Sequence, residues 1–89
     1  MLKINFAQQM KKGASEIKRL SDLAIGHEAT LIDFKNEESK NQLMEMGCIP
    51  GIRIKREYDA PFGDPICVAV SGYFLMIRKA EAEMIIVEE

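Results

Sequence analysis

The chain has 89 residues, of which 47% are hydrophobic and 29% charged, with a formal net charge of -2. That length accommodates one domain, since chains usually divide only well beyond ~150 residues, and the apolar fraction excludes wholesale disorder. No apolar run approaches the ~18 to 20 residues that span a bilayer, and the absence of Trp with 7% aromatics limits any large stacking platform for bases or sugars. A catalytic cleft of ordinary size is hard to carve from one small core, so the arithmetic favours a small soluble binding module.

The charge is unevenly placed. Residues 1–20 carry Lys3, Lys11, Lys12, Lys18 and Arg19 against Glu16 alone, a balance of +4, which leaves -6 on residues 21–89. An acidic body repels phosphates, so nucleic acid is not an expected partner. Met1 to Met10 lacks the continuous apolar stretch and small-residue cleavage site of a signal peptide. Cys48 and Cys67 form no CxxC motif, and such a pair reads as buried thiols in a reducing cytoplasm rather than a disulfide.

Along the chain, residues 1–16 form a polar, basic extension with Leu2, Phe6 and Met10 at helical spacing. They read as a frayed leader or as a membrane- or partner-binding helix, and residues 17–89 hold the globular pattern. Leu20-Ser21-Asp22-Leu23 with Gly26 reads as an opening turn. Glu28 to Phe34, rich in Thr30, Ile32 and Phe34, is the first strand. Asn36 can cap a helix whose first turn holds Glu37 and Glu38, running to about Met46 and closed by Gly47 in the left-handed region. Pro50-Gly51 fits a type II turn.

Beyond it the period is 2. Ile52, Ile54 and Tyr58 share one face with Arg56, so that face opens to solvent near its end, while Arg53, Lys55 and Glu57 share the other. Asp59 to Pro65 is a loop. Ile66, Val68 and Val70 make the next strand, and Ser71-Gly72 a hairpin turn. Tyr73, Leu75 and Ile77 then alternate with Phe74, Met76 and Arg78. One helical turn over Lys79 to Met84 precedes a last strand, Ile85-Ile86-Val87. Five short strands with one helix between the first two predict a small, mainly β, closed or nearly closed barrel.

Three blocks carry a family resemblance: Leu43-Met44-Glu45-Met46-Gly47-Cys48-Ile49-Pro50-Gly51, Ala60-Pro61-Phe62-Gly63-Asp64-Pro65-Ile66, and Leu75-Met76-Ile77-Arg78-Lys79 with the Ile85 to Glu88 end. In this order, behind the Leu20-Ser21-Asp22-Leu23 opening, they resemble the FeoA family, ferrous iron transport protein A. The resemblance implies an SH3-like β-barrel. It also implies a non-enzymatic, cytosolic accessory to FeoB, the membrane ferrous iron transporter with a cytoplasmic GTP-binding domain. The membrane is then reached only through that partner. The basic leader is not covered by the resemblance. Similar SH3-like domains end iron-dependent repressors, so a stand-alone regulatory module is the alternative, and an iron-binding metallochaperone is a further one.

A docking module needs exposed, rigid side chains. The Phe62-Gly63-Asp64-Pro65 loop offers Phe62 as anchor and Asp64 for polar register; equally, Phe62 could plug the barrel mouth while Asp64 caps its own turn. Leu43 and Met46 read first as core by helical periodicity. Leu43 and, more so, Met44 remain contact candidates, the latter as an adaptable thioether. Arg78 and Lys79 suit an acidic partner or plain solvation. His27, Cys48 and Cys67 have no metal-ligand spacing, and Asp59 with Asp64 would hold a divalent ion only weakly. No cofactor is expected: the sequence has no GxxxxGK[ST] loop and a single His to serve any acid–base scheme.

Overall fold

The computed structural model describes residues 15–89, so the Leu2, Phe6 and Met10 stripe lies outside the described residues. Six strands, one more than the sequence pattern predicts, form one antiparallel sheet: β1 (Ile17–Arg19), β2 (Glu28–Phe34), β3 (Arg53–Asp59), β4 (Ile66–Val70), β5 (Tyr73–Ile77) and β6 (Ile85–Glu88). Their order across the sheet is β1-β6-β2-β3-β4-β5. Helix α1 (Glu37–Glu45) joins β2 to β3, and the single turn α2 (Lys79–Ala82) joins β5 to β6.

The added strand is β1, whose three residues are too few to show a period. It exists because Ile17, Lys18 and Arg19 pair with Glu88, Val87 and Ile86. Ser15 and Glu16 are held to the same strand: Ser15 Oγ donates to Glu88 Oε2 at 3.1 Å, and the Glu89 N–H donates to the Glu16 carbonyl at 2.9 Å.

Local signals act as read. Asn36 Oδ1 accepts the Ser39 N–H at 2.8 Å, satisfying one of the orphan donors at the start of α1. Gly47, at φ +103, ends that helix closely packed under the Tyr73 ring, where no Cβ would fit beside the hydroxyl.

The curled sheet encloses one core of Leu20, Leu23, Leu31, Leu43, Ile54, Ile66, Val68, Ile77, Ile85 and Val87, all fully buried. Each such side chain contributes ~1.5–3 kcal/mol by leaving water.

Two bulges break the strict alternation. In β2 the register shifts between Leu31 and Asp33, so Ala29, Leu31 and Phe34 face the core while Ile32 turns out. In β3 it shifts between Arg56 and Tyr58. The inserted residue reverses the phase of the strand, and Tyr58, expected on the apolar face, is 54% exposed.

Arg56 keeps the inner side, and that end is closed rather than open to solvent. Its Nη1 donates to the carbonyls of Ser21 (3.0 Å) and Leu23 (2.6 Å). Its Nε and Nη2 take the two Asp59 carboxylate oxygens at 3.0 and 2.7 Å.

Candidate functional site

The loop between β3 and β4 is built by a tight turn. The Gly63 N–H donates to the Ala60 carbonyl at 2.8 Å, which puts Pro61 and Phe62 at the two central positions. Phe62 has φ 75 and ψ 8, the conformation of the second central residue of a type II turn, where glycine is favoured. A bulky aromatic is rare there and the backbone is strained. The ring is nonetheless 106% exposed. Phe62 is therefore no plug: it stands clear of the barrel at the tip of a proline-bounded loop.

Asp64 does not cap its own turn. Its Oδ1 accepts the Lys79 N–H at 2.9 Å, tying the loop to the start of α2. The Ala60 N–H, donating to the Pro65 carbonyl at 2.9 Å, closes the base of the loop. Since Ile66 is paired with Ile77, the loop, the end of β5, Arg78 and Lys79 all lie at one end of the molecule. Asp64, Pro65, Met76 and Arg78 line an open concavity of about 390 Å³ there.

The helix candidates separate from this group. Leu43 is fully buried in the core, which removes it from any contact surface, and Met44 is half-buried against that core. Their faces turn inward because α1 lies over the sheet; its C-terminal end is held by Tyr73 Oη, which donates to the Met46 carbonyl at 3.2 Å.

Of the exposed apolar side chains that were not among the sequence candidates, Tyr58, Phe74 and Met76 gather on one face of the sheet. The register places Met76, Cys67 and Tyr58 in one row across β5, β4 and β3, and Phe74 beside Ala69 in the next. This is the face opposite the core. The available signal was five successive apolar residues in β5, more than one buried face can use.

The thiols are withdrawn from chemistry. Cys48 is fully buried and Cys67 nearly so, at 2% exposed. Burial, helped by the Glu81 charge, pushes the Cys48 thiol up to about 11, so it is protonated at neutral pH. The neighbouring Cys67 raises the Tyr58 phenol above its ordinary value. Among the described residues no three His, Cys, Asp or Glu side chains gather where they could hold a metal ion.

A small, mainly β, curled antiparallel sheet of this order defines a class by its fold: the SH3-like domain. The chain belongs to the FeoA family, whose FeoA domain matches residues 18–89. A FeoA-like protein from Clostridium acetobutylicum is similar at 34% identity, covering 81% of this chain and 85% of that one, with a TM-score of 0.75.

Two further structures support the fold. A zinc-complexed FeoA from Stenotrophomonas maltophilia, described as a procaryotic SH3 domain protein, is 24% identical over 80% of this chain and 94% of its own, with a TM-score of 0.67. A manganese-dependent transcriptional repressor superimposes with a TM-score of 0.71 at 16% identity, over 83% of this chain and 42% of its own. No curated protein matches the sequence.

Proposed function

We propose that this protein is a non-enzymatic cytoplasmic accessory of ferrous iron uptake. Its 17–89 module docks on the cytoplasmic GTP-binding domain of a FeoB-type transporter through Phe62, Gly63, Asp64 and Pro65 with Arg78 and Lys79. The basic extension ahead of it is given no part in that contact, and its last residues, Ser15 and Glu16, join the module at Glu88 and Glu89. Membership of the FeoA family supports a role in ferrous iron transport, and the S. maltophilia relative is described as a candidate ferrous iron transport activating factor.

One observation carries the docking surface: a fully exposed Phe62 held at a backbone conformation that glycine would occupy more easily. Strain of ~1–3 kcal/mol at an exposed position, with no gain in the core, is the kind of cost that function retains. Phe62 supplies an apolar anchor, and Arg78 and Lys79 supply positive charge beside it for an acidic rim. Docking modulates transport if the module binds one conformation of the transporter's soluble domains more tightly than another.

The test is a titration of the full chain with that GTP-binding domain in its nucleotide-free, GDP and GTP-analogue states, followed by amide shifts. Shifts centred on Phe62, Asp64, Arg78 and Lys79 are expected, with binding at least about tenfold weaker for Phe62→Gly. No binding in any nucleotide state overturns the proposal. The reading as a repressor-like regulatory module rests on the fold alone, and a metallochaperone would have to draw on thiols that the fold buries.

A further inference from the structure

Among the described residues the sheet ends in two edges that are built differently. The β1 edge is three residues long and bears Lys18 and Arg19, a short charged edge of the kind that resists a further strand. The β5 edge is Tyr73-Phe74-Leu75-Met76-Ile77, with no charge and no proline. Natural sheets avoid leaving such an edge open.

The main chain of β5 is as available as its side chains. Ser71 (φ 44) and Gly72 (φ 87) close β4 and β5 in a two-residue turn whose positive φ pair is that of type I′. The pair flanking such a turn is hydrogen-bonded, and bonded and non-bonded pairs alternate from there. Val70 with Tyr73, Val68 with Leu75 and Ile66 with Ile77 are therefore the bonded pairs. Phe74 and Met76 turn their N–H and C=O groups to the free edge, and their side chains are 66% and 46% exposed on the outer face.

We infer that this edge pairs with a second copy of itself, the two β5 strands running antiparallel about a two-fold axis at Leu75. Phe74 then lies opposite Met76 of the second copy, and the reverse, on either side of the axis. The register follows from the backbone. A two-fold pairing must set outward-facing residues against outward-facing residues, and this one uses both from each strand, for four main-chain hydrogen bonds. It also places an aromatic ring against a thioether twice, a favourable cross-strand pair.

No like charges meet. The next position, Arg78, falls opposite Gly72, which has no side chain. The open concavity beside Met76 gains Phe74 of the second copy as a wall. Because the contact is isologous it closes at two chains and consumes the edge instead of propagating it. The pairing does not depend on the transporter reading.

Sedimentation velocity of the full chain over a wide concentration range tests it, with amide exchange alongside. A reversible dimer is expected, with the Phe74 and Met76 amides protected only at concentrations where it forms. Phe74→Lys and Met76→Lys each place a charge at an exposed edge position, and each is expected to raise the dimer dissociation constant at least about tenfold with an unchanged circular dichroism spectrum.

A chain that stays monomeric into the millimolar range overturns the inference, as does a dimer indifferent to both lysine variants. Protection of the Phe74 and Met76 amides that arises only on adding the transporter's GTP-binding domain also overturns it, and assigns the edge to that partner instead.

Discussion

At Phe62 two requirements pull against each other. The type II turn asks for a residue tolerant of positive φ, and the chain supplies a large aromatic at φ 75. Relief of that strain is worth ~1–3 kcal/mol, while a glycine loses roughly 0.5–1 kcal/mol more backbone entropy on folding. Phe62→Gly is therefore expected to leave stability unchanged or raise it by about 1 kcal/mol, while removing the apolar anchor. Urea unfolding measures this; a loss above about 1 kcal/mol would show that the ring packs on something.

Sequence alone left the ring's direction open, because a Pro-Phe-Gly turn can aim it either way. What decides is that Asp64 reaches the Lys79 amide, a contact 15 residues away in sequence. Both cysteines were readable as buried thiols from their number and spacing, but not how Cys67 is covered: on the outer face of the sheet, by the row that Tyr58 and Met76 share with it.

Among the elements, β3 shows how one inserted residue redistributes roles. The bulge sends Tyr58 outward and leaves Arg56 inside, where its guanidinium joins the opening turn at Ser21 and Leu23 to Asp59. Only a planar fork can serve two carbonyls and a bidentate carboxylate together. Arg56→Lys keeps the charge and loses that geometry, so about 1–3 kcal/mol of stability should go with it. For a domain of this size that is a fall of at least about 4 °C in Tm by calorimetry. An unchanged Tm would mean that the opening turn is held by the burial of Leu20 and Leu23 alone.

The helix was legible throughout, from its Asn36 cap to Gly47, because capping and helix period are local. The placement of Leu43 in the core and of Met44 on its margin depends on the sheet that α1 covers.

Across the whole molecule, the first and last described segments lock together. Lys18 Nζ lies 2.9 Å from both Glu16 Oε1 and Glu89 Oε1, and Glu89 also pairs with His27. Lys18 and then His27 hold the Glu89 carboxyl below its ordinary range. A depressed folded-state value stabilises at pH above the unfolded value of 4.5, and that contribution is lost as pH falls through the folded value. Thermal unfolding between pH 7 and 3 should accordingly show an acid-side loss that Glu89→Gln reduces, the variant starting lower at pH 7. Equal slopes for both chains would place the acid sensitivity elsewhere.

The strands from β2 onward, the capped helix with its Gly47 end, the Pro50-Gly51 turn and the family were legible in the sequence, because periodicity, capping and turn chemistry act over a few residues. The sixth strand, the two bulges and the closure of Arg56 onto the opening turn came only from the tertiary fold, and with them the outward Phe62 and, among the described residues, the unpaired β5 edge. Each of those depends on which strand lies beside which. That pairing is a long-range property, selected by the burial of one shared core rather than by any local pattern.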